Sequence, residues 1–262
     1  MLVQADPRTR ACLGAAIGVC IGLAFATPSL GAPPAAASTT AQKIDPAAVK
    51  ALHDMSAYLQ TLSTFKLLSQ ASLDVVNNDG QKLTLDGEGH YTVRKPNAFV
   101  IDIVSDSWNR QYVYDGAAFT LYAPKLGFYS SWPAPPTIQA TIVDIGERFG
   151  ISLPLDDLFR WSSPDGARAD SLESGFLVGL ETIDGVKTNH YAFREGKIDW
   201  QIWIQQGDQP LPRKVVIVDR RDPAEPAYTA RLTWTLNPPL TNEDFVFRPG
   251  PDAKRIRTTL QK

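Results

Sequence analysis

The folded part of the chain opens with apolar residues spaced three and four apart. These residues are Val49, Leu52, Met55, Leu59 and Leu62. That spacing places them along one side of an α-helix. Asp45 and Pro46 stand just before them and suit the N-cap and the first helical position. The pattern therefore predicts an amphipathic helix that packs against a larger element.

From Phe65 onward apolar and polar residues alternate, which is the period of a β-strand. Short turns separate the alternating runs, and Asp79-Gly80 is a strong hairpin signal. Connections this short favour antiparallel neighbours, because a parallel pair needs a long crossover. The predicted strands of this half are Phe65–Asn77, Gln81–Arg94, Phe99–Val104, Arg110–Tyr114, Phe119–Tyr122 and Phe128–Ser131.

A helical insert interrupts the strands. The segment Ser131–Pro136 holds three prolines, which cannot donate to a strand ladder. Two helices are predicted after it, at Thr137–Phe149 and Leu155–Trp161, with Pro154 between them. The alternation then resumes. The strands predicted there are Leu172–Thr182, Val186–Arg194, Lys197–Gln206, Arg213–Asp219, Tyr228–Leu236 and a last short one at Phe245–Phe247.

Each strand of the second half has one apolar face. In Lys197–Gln206 the apolar face carries Ile198, Trp200, Ile202 and Ile204, while Trp203 is the exception on the polar face. Such alternation is typical of half-buried antiparallel strands. About eleven strands in one sheet must curl. The predicted fold is therefore mainly β (α+β), a single strongly curved, incompletely closed antiparallel β-barrel with helices packed on its concave face.

The first residues have the pattern of a secretory signal. Arg8 and Arg10 precede Ala11–Ala26, an uncharged run too short to span a bilayer, and a stretch rich in small residues follows. Cleavage after Ala26 and cleavage after Ala37 both fit. The expected organisation is a signal peptide and short linker at residues 1–37 and one exported domain at residues 38–262. The expected location is the periplasm.

The two cysteines lie inside the predicted signal. They are Cys12 and Cys20, so the exported chain would hold no disulfide and no thiol site. Val19 stands before Cys20, where a lipidation motif prefers a smaller residue, and a soluble periplasmic protein is the favoured interpretation. An exported chain of this length buries enough surface to fold without a disulfide.

Charge and motifs exclude several classes of function. Lys and Arg number 26 against 28 Asp and Glu, which leaves no basic field for nucleic acid. No metal-ligand motif, nucleophile elbow or phosphate loop occurs. His90 and His190 are the two candidate general bases, but each precedes a tyrosine in a strand and is more simply explained by hydrogen bonds across the ladder. We therefore expect no enzyme, no metal and no cofactor.

Four segments resemble a family of bacterial envelope proteins. They are Gly87–Ile103, Val113–Ser131, Asp199–Ile217 and Phe245–Ile256. With the order of helix, strands, helical insert and strands, they resemble the lipoprotein carriers and receptors of the LolA and LolB type, and the periplasmic sigma-factor regulators of the same fold. The group they resemble most is one of predicted periplasmic proteins of unknown function. The carrier resemblance implies a half-open barrel whose apolar hollow holds acyl chains under a helical lid.

Aromatic and aliphatic residues on strand faces are the predicted ligand site. They are Ile101, Tyr112, Tyr114, Phe119, Leu121, Phe128, Trp200, Ile202 and Trp234. Such residues either fill the barrel as core or line a cavity for an apolar ligand, and the sequence leaves both open. The helical insert is likewise either a moving lid or a fixed plug.

Two functions follow from this interpretation. The first is non-enzymatic binding of a lipid, an acyl chain or another hydrophobic ligand in the concave face. The alternative is an envelope sensor or scaffold that binds a protein partner, as the sigma-factor regulators imply. An exposed Trp203 would anchor that partner. The oligomeric state stays open, with a monomer favoured.

Overall fold

A computed structural model of the chain describes residues 43–106, 108–161 and 170–257. The predicted signal segment lies outside these residues. The described residues form twelve strands, and all twelve belong to one sheet. Their bounds are β1 Thr64–Val76, β2 Lys82–Arg94, β3 Ala98–Val104, β4 Asn109–Tyr114, β5 Ala118–Ala123, β6 Phe128–Pro133, β7 Ser174–Ile183, β8 Val186–Glu195, β9 Ile198–Gln205, β10 Pro212–Asp219, β11 Ala227–Leu236 and β12 Lys254–Arg255.

The sheet consists of two antiparallel meanders joined at its centre. Strands β1 to β6 follow one another, strands β7 to β11 do the same, and β1 pairs with β11. Only the short β12 is parallel to its neighbour, β6. The two outermost strands are β12 and β7. The predicted incompletely closed, mainly antiparallel sheet is thus confirmed, with twelve strands in place of about eleven.

Three helices accompany the sheet. They are α1 Pro46–Thr61, α2 Ile138–Phe149 and α3 Asp156–Trp161. The Asp45 side chain accepts a hydrogen bond from the Ala47 amide at 2.8 Å, and Thr137 caps α2 in the same way through the Ala140 amide at 3.2 Å. These caps satisfy amides that have no partner within the helix. The helix bounds agree with the sequence pattern.

The predicted strand at Phe245–Phe247 is wrong. A 3₁₀ helix at Asn242–Phe245 occupies part of it, and another lies at Pro124–Leu126. Thr241 and Asp244 form a capping box, in which each side chain bonds the backbone of the other residue. This local hydrogen bonding competes with strand pairing. Phe245 is buried under the Arg94 guanidinium, 4.6 Å from its ring centroid.

One face of the sheet carries the helices, and we call it the helical face. Its strands and helices share a single apolar cluster that includes Leu52, Met55 and Leu59 from α1 and Ile138 and Ile145 from α2. Strand residues that are directly opposite each other share a face. The register therefore assigns the remaining strand positions to the helical face or to the opposite face.

Candidate functional site

The nine residues predicted to line a ligand site all lie on the helical face, but most of them are core. Ile101, Tyr112, Tyr114, Phe119 and Ile202 are buried in the cluster that the helices cover. Leu121, Trp200 and Trp234 pack against that cluster and stay partly accessible. Phe128, at the β6 end of the sheet, is exposed. In the covered region the described side chains fill the space between sheet and helices.

Two tyrosine side chains hydrogen-bond the helical insert to the sheet. The Tyr114 phenol donates to the Pro135 carbonyl at 2.5 Å, and the Tyr91 phenol donates to the Pro154 carbonyl at 3.1 Å. The insert also packs through aromatic rings, with Trp132 and Phe149 centroids 4.4 Å apart. The first hydrogen bond holds the segment just before α2, and the second holds the segment between α2 and α3.

Beyond the helices the helical face carries an open apolar surface. We define the apolar strip as Leu73, Val75, Leu83 and Leu85, which are between 40% and 45% exposed. Leu73 lies opposite Leu85, and Val75 lies opposite Leu83, in the long β1–β2 hairpin. Four neighbouring apolar side chains of this exposure are more than scattered surface residues.

The apolar strip continues across the sheet toward β9. Leu73 lies opposite Tyr228 of β11, Tyr228 opposite Ile217 of β10, and Ile217 opposite Trp200 of β9. These three residues are only partly buried and pack against the core cluster. A continuous apolar row therefore runs over five strands, and its exposed end is the apolar strip.

Small residues lie between this row and the covered core. Ala230 is opposite Ala71, and Ala71 is opposite Gly87. A methyl group added at Gly87 would stand 2.9 Å from the Val104 carbonyl oxygen, so the backbone of β3 approaches too closely for a side chain. The small side chains therefore lie beside the larger residues of the strip. We call this band of Ala230, Ala71 and Gly87 the trough.

Three tyrosines border the trough. Burial raises the pKa of Tyr112 and of Tyr228, and it raises the pKa of Tyr91 well above its ordinary value of 10.0. Electrostatic interaction with Tyr228 and Tyr112 raises the pKa of Tyr91 further. The three phenols thus remain neutral at physiological pH. Ser69 is buried nearby, and its interaction with the Tyr228 phenol lowers the pKa of Tyr228 against the larger effect of burial. The Ser69 hydroxyl has no hydrogen-bond partner among the described residues.

On the opposite face, Trp203 is buried, which contradicts the expectation of an exposed anchor. It is 4% exposed and stacks on His190 with ring centroids 3.9 Å apart. Its indole N–H donates to a Glu181 carboxylate oxygen at 2.8 Å, and the Lys214 ammonium lies 4.3 Å from its ring centroid. The cross-strand neighbours cover Trp203, so it offers no surface to a partner.

The two candidate bases are both engaged by neighbouring side chains. One ring nitrogen of His190 lies 3.0 Å from a Glu181 carboxylate oxygen, and the other lies 2.9 Å from the Gln201 amide oxygen. The hydrogen bond from Trp203 is the main cause that lowers the pKa of Glu181, with His190 adding to it. His90 is exposed, 3.3 Å from Glu88. These are the ladder contacts of structural histidines.

Clefts open elsewhere on the described surface. One of about 560 Å³ lies on the insert and is lined partly by Ile142, Val143 and Phe159. Another of about 660 Å³ lies over β1 and β2 and is lined by polar groups that include Asp86, Glu88 and His90. Within the described ranges, no three His, Cys, Asp or Glu side chains are arranged to hold a metal ion. No helix among them is long and apolar enough to cross a membrane.

Several solved structures are similar to this chain at low sequence identity. An uncharacterized conserved protein from Thermus thermophilus is 11% identical, with 81% of this chain and 99% of that chain covered and a TM-score of 0.48. LprF from Mycobacterium bovis is 14% identical over 79% and 100% of the two chains, with a TM-score of 0.46. Lipoprotein LppX from Mycobacterium tuberculosis is 12% identical over 75% and 98%, with a TM-score of 0.39.

Sequence comparison identifies the family. No curated protein matches the chain. A family model described as predicted periplasmic protein (DUF2092) matches residues 48–259, which confirms the group suggested by the sequence segments. The match takes in α1, the insert and all twelve strands. The chain therefore belongs to the DUF2092 family of predicted periplasmic proteins.

Proposed function

We propose that this protein binds the acyl chain of a lipid, or a similar hydrophobic ligand, in the trough beside the apolar strip. It does so in the periplasm, after loss of a signal peptide that lies within residues 1–37, and it catalyses no reaction. The exposure of Leu73, Val75, Leu83 and Leu85 on the face that elsewhere forms the core is the observation that carries this proposal.

The arrangement suits an elongated apolar ligand. The row from Leu85 to Trp200 crosses five strands, and neighbouring strands are about 4.8 Å apart, so the row is roughly 19 Å long. An extended acyl chain can lie along it. The partly accessible Tyr228 lies within this row, and its phenol is the polar group that a ligand's head or ester group would meet.

The free energy available is sufficient for useful affinity. Burial of a methylene group contributes about 0.8 kcal/mol, so about eight methylenes contribute roughly 6 kcal/mol before the cost of association. Without the cost of association, 6 kcal/mol would correspond to a dissociation constant between about 1 mM and 1 μM. The cost weakens the binding from that range, and each further buried methylene strengthens it. An open trough is consistent with reversible binding of this strength.

The contacts of His190 support the absence of catalysis at this residue. Both ring nitrogens of His190 are held by Glu181 and Gln201, and the ring is stacked on Trp203. Neither nitrogen points to open space where a substrate would have to lie for proton transfer. This pattern favours a binding protein over a hydrolase.

Binding of a fluorescent fatty acid to the exported chain tests the proposal. Leu73→Asp combined with Leu85→Asp places two carboxylates in the strip, and we expect at least about a tenfold loss of affinity because a charge in contact with an acyl chain must be desolvated. Leu126→Asp is the matched control, since Leu126 is 62% exposed at a distant 3₁₀ helix. Its affinity should stay within about twofold of wild type.

Native mass spectrometry after mild purification gives a second measurement. A copurified lipid that is lost in the double variant supports the proposal. Wild-type protein without copurified lipid and without fatty-acid binding contradicts it. Equal loss of binding in Leu126→Asp and in the double variant also contradicts it, because the effect would then not be specific to the strip.

A further inference from the structure

We propose that the free edge of β7 is a docking site for an extended, apolar polypeptide segment of another protein, flanked by Lys or Arg. The segment would pair with β7 as a thirteenth strand. This surface lies at one end of the sheet, away from the apolar strip on β1 and β2, and the proposal does not depend on lipid binding.

The edge already accepts one extended segment of its own chain. The Asp45 amide donates to the Gly175 carbonyl at 2.7 Å, and the Gly175 amide donates to the Lys43 carbonyl at 3.0 Å. Ile44 and Gly175 form an isolated parallel bridge. Pro46 lacks an amide N–H and starts α1, so this pairing stops after one bridge. Along most of the ten-residue strand, no described residue pairs with it on this side.

The register shows which backbone groups face outward. In an antiparallel pair, residues alternate between those that bond the neighbouring strand and those whose N–H and C=O point away from it. The N–H and C=O of Gly175 point away from β8, because they bond Lys43 and Asp45. Leu177 is two residues further on, so its N–H and C=O point away from β8 as well. The tight turn at Asp184-Gly185 closes on the Ile183–Val186 pair, which makes Thr182 and Leu180 the outward residues nearest the turn. A docked strand would meet three outward residues in succession.

The side chains along this edge are apolar on both faces. Phe176, Leu177, Val178 and Leu180 are all exposed, and Leu180 is 71% exposed. Proteins usually protect an edge strand with Lys, Pro or a covering element. Here the described protection is a bulge between Leu177 and Gly179, and Ser174–Ile183 contains no Lys, Arg or Pro. An extended segment with apolar residues at successive positions would cover these side chains on both faces.

Charge distinguishes a foreign partner from a second copy. Between residues 170 and 184 the sequence has Asp170, Glu173, Glu181 and Asp184, with no Lys or Arg. Glu181 is bonded to Trp203 and His190, and Asp184 is paired with Arg231 at 2.6 Å. In two copies paired antiparallel about Val178, Glu173 of each copy would lie near Asp184 of the other, where like charges are unfavourable even though each Asp184 keeps its own arginine partner. Basic residues at the ends of a partner segment would instead be attracted to Asp170 and Glu173 at one end of β7 and to Asp184 at the other.

A designed peptide tests the site. The probe is fluorescein-labelled Lys-Val-Thr-Val-Thr-Val-Thr-Val-Lys, and its control carries N-methyl groups on alternate residues. We expect the probe to bind the exported chain and to slow hydrogen exchange in residues 174–183. The methylated control should bind at least about tenfold more weakly, because it cannot donate to the edge. A Glu-ended version should also bind more weakly, with a difference that shrinks in salt.

Two variants test the same edge from the protein side. Leu177→Pro removes an outward N–H without removing a donor to β8, and we expect at least about a tenfold loss of probe affinity. Leu180→Lys adds a repelling charge and should weaken the Lys-ended probe, so the test remains if the proline variant does not fold. Leu126→Lys is the exposed control and should bind as wild type. Fatty-acid binding should be unchanged in every variant.

Three results would overturn the proposal. The first is equal binding of the probe and its methylated control. The second is probe affinity that is unchanged in both folded edge variants. The third is a dimer in light scattering whose residues 174–183 are protected without peptide, which would identify a second copy as the occupant.

Discussion

The helical face has two regions of the same composition but different accessibility. Phe119 and Phe128 lie on neighbouring strands of this face, yet Phe119 is fully buried and Phe128 is 43% exposed. Likewise Leu67 of β1 is buried, while Leu73 on the same face of the same strand is exposed. The two regions differ in whether a helix packs over the strand. Where α1 and the insert cover the sheet, apolar residues provide stability, and beyond the helices they are free to bind.

The largest expected difference is between two phenylalanine truncations. Phe119→Ala should lower the free energy of unfolding by about 3–5 kcal/mol, because it leaves a cavity among Phe99, Tyr112 and Trp132. Phe128→Ala removes the same atoms from an exposed site and should cost less than about 1 kcal/mol. Urea unfolding followed by circular dichroism measures both. Similar costs would show that the two regions do not differ in packing.

A smaller difference is expected at alkaline pH for Tyr228, at the border of the two regions. Burial raises its folded-state pKa above the ordinary 10.0. Its stabilising contribution is therefore complete below pH 10 and is lost as the pH rises through the folded pKa, since the unfolded phenol ionises first. At pH 11 wild type should lose up to about 1.4 kcal/mol more than Tyr228→Phe, relative to pH 8.

Unfolding midpoints at pH 8 and pH 11 for both proteins provide the measurement. Other groups titrate over the same range, but they are common to wild type and variant and cancel in the comparison. An identical pH dependence in the two proteins would mean that the Tyr228 phenol is solvated, and the trough would then be wetter than the structure indicates.

Local pattern was sufficient for most of the architecture. The alternation, the Gly-containing turns and the cap residues predicted α1, α2, α3 and eleven of the twelve strands. The failure at Phe245–Phe247 has a local cause, because the capping pair Thr241 and Asp244 was not recognised ahead of an apolar run. The strand Lys254–Arg255 has only two residues and no alternation to detect.

The binding surface was harder to predict, because coverage depends on distant segments. Ile101 and Tyr112 have the same alternation as Leu73 and Leu85, and nothing local says that helices lie over the first pair only. The sequence did contain one usable signal. Extending the Asp79-Gly80 hairpin places Leu73 opposite Leu85 and Val75 opposite Leu83. Four apolar residues this close to a hairpin turn predict an accessible apolar surface.

The burial of Trp203 was also missed for a reason of register. Its cover comes from His190 on the next strand and from Glu181 one strand further. The turn between β8 and β9 contains only Gly196 and Lys197, and pairing outward from it places His190 opposite Trp203. The single-strand view of a Trp among polar residues suggested exposure, whereas the cross-strand view gives a stacked and hydrogen-bonded pair.

The smallest expected effect is on the stability of the strip itself. Leu83→Thr exchanges an exposed apolar residue for a polar one of high strand propensity, and it should change the free energy of unfolding by less than about 0.5 kcal/mol. Its fatty-acid affinity should nevertheless fall several-fold, because a fatty acid contacts Leu83 only in the bound state. Urea unfolding and fatty-acid titration on the same sample separate the two effects. A stability loss of about 2 kcal/mol or more would mean that Leu83 is packed in solution, and the strip would then be core rather than a binding surface.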